Sequence, residues 1–68
     1  MTIEIMLNGE AKRLPQGHSV HDLVDSLGLT GKALAVAVNR QVVPRASWLQ
    51  RALQPDDRVE IVRAIGGG

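Results

Sequence analysis

Residues able to do chemistry are few in this 68-residue chain, and the most suggestive stand at its end, where Val59-Glu60-Ile61-Val62-Arg63-Ala64-Ile65 runs as an apolar strand pattern into Gly66-Gly67-Gly68. Glycine has no Cβ and loses the most backbone freedom on ordering, so Gly66 and Gly67 contribute nothing to packing and leave the Gly68 carboxylate thin and unhindered. That suits a carboxylate that must enter another protein's active site. A frayed end or a linker remnant is the ordinary reading of terminal glycines, but Ile61, Val62 and Ile65 lead into these with no polar spacer. The two imidazoles, His18 and His21, stand beside Asp22 and raise acid–base or metal chemistry. No third ligand or nucleophile lies at motif spacing, and Asp22, Asp25, Asp56 and Asp57 fit capping, helix solvation and a turn. No metal site and no catalytic residue are assigned.

Composition narrows the classes further. There is no cysteine, which excludes disulfides, thiolate metal sites and a cysteine nucleophile. The net charge is +1 with Lys and Arg scattered, so no basic block advertises nucleic acid. No apolar run has signal-peptide or membrane-spanning length, which points to a cytoplasmic protein without a membrane partner. At this size the core is marginal. It must be aliphatic, because Trp48 is the only aromatic residue.

The elements that must position the terminus follow from periodicity. Thr2 to Leu7 alternates with Ile3, Ile5 and Leu7 on one side, the period of a half-buried strand. Asn8-Gly9 is the dipeptide of a two-residue type I′ hairpin, and Glu10 to Leu14 is the returning strand. Pro15, Gln16 and Gly17 break the pairing. Ser19 stands as a helix N-cap, with Asp22 three residues on as a short capping-box acid. Val20, Leu23, Val24 and Leu27 form one apolar stripe, and Gly28 is placed for a left-handed cap with Leu29 folding back. Ala33 to Val38 is a strand with Leu34, Val36 and Val38 on a bulky side and alanines on the other. Asn39-Arg40 makes a tight turn, Gln41 to Val43 a short strand, and Pro44 ends it. Ser47 is read as capping one helical turn through Trp48, Leu49 and Leu53, with Trp48 covering its open edge. Pro55-Asp56-Asp57 is a turn, and Arg58 to Ile65 the last strand.

This order gives an α+β domain over residues 1–65, a β-grasp of four to five strands in one mixed sheet with a single long helix on one face. A flexible glycine tail, 66–68, follows. The first and last strands must lie parallel at the centre for the helix to share one core with both, and the tail leaves from the edge of a rigid sheet. Met6, Ala35, Ala37 and Val62 fall on the face opposite the helix and form a shallow apolar patch, the expected docking surface. Arg63, beside the tail, is suited to an acidic rim. Ordering Gly66 to Gly68 in a channel costs about 3–6 kcal/mol, so the folded body must supply the affinity.

A ubiquitin-like β-grasp ending in diglycine, with Ala35-Val36-Ala37-Val38-Asn39, then Val42-Val43-Pro44-Arg45 and Trp48, resembles the ThiS family of sulfur carriers of thiamine biosynthesis. The resemblance covers essentially the whole chain. The third glycine and Pro55-Asp56-Asp57, where the family often has a Gly-Asp turn, depart from it. The resemblance implies that an E1-like adenylating enzyme uses ATP and magnesium to join AMP to the Gly68 carboxylate. A persulfide, such as a cysteine desulfurase provides, then delivers sulfur, and the thiocarboxylate donates it to thiazole synthase. The chain would be a co-substrate and not an enzyme, with no permanently bound cofactor. The alternatives are a small subunit of molybdopterin synthase, a ubiquitin-like protein modifier, and an interaction module with an irrelevant tail.

Overall fold

The computed structural model describes residues 1–63. The strands are β1 (Thr2–Leu7), β2 (Glu10–Pro15), β3 (Leu34–Val38), β4 (Gln41–Val43) and β5 (Arg58–Arg63), with one helix, α1 (Val20–Ser26), and a 3-10 turn at Arg45–Ser47. They form one five-stranded sheet in the order β2-β1-β5-β3-β4. β1 and β5 are parallel and all other neighbours antiparallel. This is the ubiquitin-like β-grasp.

Both hairpin turns have the expected origin. Asn8 and Gly9 take φ of 49° and 85°, and Asn39 and Arg40 take 51° and 70°, the doubly positive φ of a type I′ turn whose twist matches the strands it joins. Arg40 occupies the left-handed region without being glycine or asparagine. Pro15 does not break the β1–β2 pairing as expected. It closes it opposite Thr2, at an edge strand where its missing N–H is not required.

The helix is short, seven residues, but both ends are completed. The Val20 N–H donates to the Arg51 carbonyl, His21 to Trp48 and Leu23 to Ser19, while Asp22 N–H donates to Ser19 Oγ at 3.1 Å and the Ser19 N–H returns to Asp22 Oδ2 at 3.0 Å. Every amide of the first turn is thus satisfied, two of them by the segment that follows β4. At the other end Gly28 sits at φ 71°, with Gly28 N–H donating to Asp25 O and Leu29 N–H to Val24 O, the paired bonds of a Schellman cap. Val20, Leu23 and Val24 are buried against Ile3, Ile5, Leu14, Val36, Val38, Trp48, Leu53 and Val59, and Leu27 packs at the margin.

One element differs from the sequence reading. The turn after β4 begins at Arg45 with Pro44 as its N-terminal neighbour at φ −59°, ψ 147°, and no side chain caps it. Ser47 is its last residue rather than its cap, its carbonyl accepting from the Gln50 and Arg51 amides. Pro44 sets the start because its ring holds φ and holds the preceding residue extended. Leu49 consequently points to solvent.

Candidate functional site: the root of the glycine tail and its sheet face

Gly66, Gly67 and Gly68, and the boundary at residue 65, lie outside the described residues. What the structure defines is the strand that leads to them. β5 is the central strand of the five, beside β1 as the sequence reading placed it. On one side the register with β3 is continuous from Val38↔Val59 to Leu34↔Arg63. On the other side the Met6 N–H donates to Asp57 O and the Asn8 N–H to Val59 O, both at 2.9 Å. The next position, Ile61, is met by the Asn8 side chain. Its Oδ1 accepts from the Ile61 N–H at 3.0 Å and its Nδ2 donates to the Ile61 carbonyl at 3.4 Å.

The face of the sheet away from α1 carries the predicted patch, with changes. Ala35 lies opposite Val62, and Ala37 lies between Glu60 on β5 and Val42 on β4. Val42 and Val62 are 73% and 61% exposed, so together with Ala35 and Ala37 they form a continuous apolar surface, and Val42 is a member the sequence reading overlooked. The signal was present, since a two-residue turn at Asn39-Arg40 fixes the pairing of Val42 with Ala37. Met6, 37% exposed, is not contiguous with this group. It stands beside Ala11 on β2 and Arg58 on β5, with Arg58 and Glu60 bordering a hollow that also reaches Asn8 and Gly9. Arg63 is exposed, but it alternates with Val62 and shares the parity of Val59 and Ile61, so it falls on the helix side of the sheet.

The remaining candidates are structural. Asp22 belongs to the capping box, and its carboxyl is held below the usual aspartate range first by the Ser19 N–H it accepts. Partial desolvation opposes this, while the Ser19 hydroxyl and the charges of His18 and His21 add smaller contributions in the same direction as the Ser19 N–H. Asp25 accepts from Thr30 Oγ1 at 3.0 Å. Asp56 takes a turn position at φ 68°. Asp57 is 6% exposed, accepting from Gln54 N–H at 2.8 Å and Asn39 Nδ2 at 2.9 Å, with Arg51 3.6 Å away. Trp48, 4% exposed, donates from Nε1 to Val43 O at 2.9 Å beneath the Arg45 guanidinium, 4.8 Å from its ring centroid. Its ring therefore packs in the core, with the first residue of the short turn over it. Among the described residues no three acidic or imidazole groups are gathered to hold a metal, and no helix is long and apolar enough to cross a membrane.

Against this geometry the relatives are informative. The sequence model of the ThiS family matches residues 5–68, and sulfur carrier protein ThiS of Escherichia coli is 33% identical over 97% of this chain and 100% of its own. The chain belongs to the ThiS family. Thiazole synthase of Paramagnetospirillum magneticum is 35% identical to this ThiS-family chain over 66 residues, which make up 20% of that protein's length. The crystal structure of thiamine biosynthesis protein ThiS from Geobacter metallireducens superposes with a TM-score of 0.83 over 97% of this chain and 100% of the other, at 22% identity. That likeness concerns the fold.

Proposed function

We infer that this chain is a sulfur carrier for assembly of the thiazole of thiamine, and that its reacting group is the carboxylate of Gly68. The observation that carries this is the end-to-end match to the Escherichia coli carrier, together with a family match that runs through Gly68. The chain is then a co-substrate and not a catalyst. A carboxylate is a poor electrophile until one oxygen becomes a good leaving group. The Gly68 carboxylate oxygen attacks the α-phosphorus of ATP, held with magnesium in an E1-like adenylating enzyme, and pyrophosphate leaves. The terminal sulfur of a persulfide, such as a cysteine desulfurase supplies, attacks the acyl carbon and AMP leaves. A thiol then attacks the donor cysteine's sulfur, forming a disulfide with it, and the thiocarboxylate leaves. That sulfur is itself a nucleophile, and thiazole synthase is the acceptor. The reading places all of this in the cytoplasm, where ATP is at hand.

The folded body supplies what glycine does not. From Ala64 to Gly68 an extended chain reaches at most about 17 Å, which limits how far a partner's reacting centre lies from the sheet. The apolar face of Ala35, Ala37, Val42 and Val62 is the proposed docking surface, with Met6 a separate contact and Arg63 facing an acidic rim on the helix side. The direct test loads the chain with labelled sulfur through an activating enzyme and supplies it to thiazole synthase with its other substrates. Label in the thiazole product supports the reading, and label retained on the carrier, or a carrier joined through Gly68 to a lysine with its sulfur released, contradicts it.

A further inference from the structure

The asparagine of the first hairpin does more than turn the chain. β1 pairs with β5 only at Met6↔Arg58 and Leu7↔Val59, after which it bends away through Asn8 and Gly9. Residues 57, 59 and 61 direct their peptide groups toward β1, as the bonds to Asp57 O, Val59 O and Ile61 N–H demonstrate. Ile61 would therefore face an empty place in the ladder. The Asn8 amide, a peptide group in miniature, fills it with one donor and one acceptor. Asn39 does the corresponding work where β5 begins, its Oδ1 accepting from Arg58 N–H at 3.0 Å and its Nδ2 donating to Asp57. The two clamps differ in place, and only Asn8 holds the half of β5 that leads toward Gly68.

We propose that Asn8 is a positioning residue for the chemistry at Gly68, holding Ile61 so that β5 delivers the last residues in one direction. The proposal rests on the sulfur-carrier reading. Past Ile61, β5 is supported from β3 alone, through Ala35↔Val62 and Leu34↔Arg63. A partner that draws the terminus into its active site must order whatever the carrier has left loose, and each residue ordered beforehand lowers that cost. Loss of the amide therefore weakens productive encounter and leaves the rate at saturation alone, because a fully bound tail occupies the same site.

The test uses the full chain as the varied substrate of a ThiS-activating adenylating enzyme, with ATP-dependent pyrophosphate release as the readout and amide exchange at Ile61 beside it. Asn8→Gly keeps the positive φ the turn requires and removes the clamp. Asn8→Asp keeps an acceptor for the Ile61 N–H and loses the donor, and Asn39→Gly removes the clamp at the far end. Asn8→Gly is expected to raise KM about tenfold at unchanged kcat, the loss of prior order in roughly one residue, and to speed exchange at Ile61. Asn8→Asp should fall between it and wild type, and Asn39→Gly should stay near wild type in KM. Faster exchange at Ile61 with unchanged KM overturns the proposal, as does an equal rise of KM in Asn8→Gly and Asn39→Gly. A wild-type chain that elicits no pyrophosphate release is a separate outcome, which overturns the carrier reading and this proposal with it.

Discussion

Asp57 and Asp22 are both turn or cap acids by position, yet the fold uses them differently. The carboxylate of Asp57 is buried and satisfies the Gln54 amide and the Asn39 side chain, so Asp57→Ala removes the acceptor of two part-buried hydrogen bonds. A hydrogen bond to a charged group contributes about 1.5–3 kcal/mol, and urea unfolding of the variant should register a loss of about that size. An unshifted midpoint would mean that water replaces the carboxylate. Asp22 is exposed and its influence is on pH dependence. Its carboxyl is lowered in the folded state, so the stabilisation is present above the ordinary aspartate range and is lost as pH falls through the folded value. Asp22→Ala should be less stable at neutral pH and should show a shallower decline on acidification, read from urea midpoints across the acid range. The Ser19–Asp22 box was legible because its partners are three residues apart. The burial of Asp57 was not, because Asn39 stands eighteen positions away and only the sheet brings the two together.

At the scale of elements, the helix is held by its stripe and its caps. Leu23 is fully buried, and Leu23→Ala should cost about 2–5 kcal/mol, much of what a domain of this size has. Gly28→Ala tests the cap alone. An added Cβ meets nothing within 4 Å, but the residue must still hold φ 71°, so a loss of about 1–2 kcal/mol is expected from the left-handed backbone only. On the sheet face, Val62→Glu and Val42→Glu should fold and melt as the wild type does, because both side chains are exposed, and should bind the adenylating enzyme at least about tenfold more weakly, about 1.4 kcal/mol. Titration calorimetry with unchanged affinity for both would move the docking surface elsewhere. Strand order and register were readable from Asn8-Gly9 and Asn39-Arg40, whose two-residue loops leave little freedom. The segment from Pro44 to Leu53 was not, because its turn is held by tertiary bonds to the first turn of α1 and by Trp48 in the core.

At the scale of the whole molecule, the proposed function makes the chain a small folded body that presents one terminal atom group to other proteins. The family was legible in the sequence since its markers are local runs, Ala35 to Asn39, Val42 to Arg45 and the glycines. The central place of the last strand was legible too, because a single helix can share one core with both hairpins only if the first and last strands lie side by side, as they do. The most direct measurement is intact mass of the chain after incubation with an activating enzyme, ATP, magnesium and a sulfur source. Three chains are compared: wild type, one lacking Gly68, and one with a single residue added after it. Each altered chain should fold normally and place its carboxylate about 3.3–3.6 Å from its proper depth, where even 1 Å can cost a hundredfold in rate. The wild type should exchange one oxygen for sulfur at Gly68 and the other two should not. A wild-type chain that never gains AMP or sulfur, or an extended chain that reacts equally well, would contradict the account.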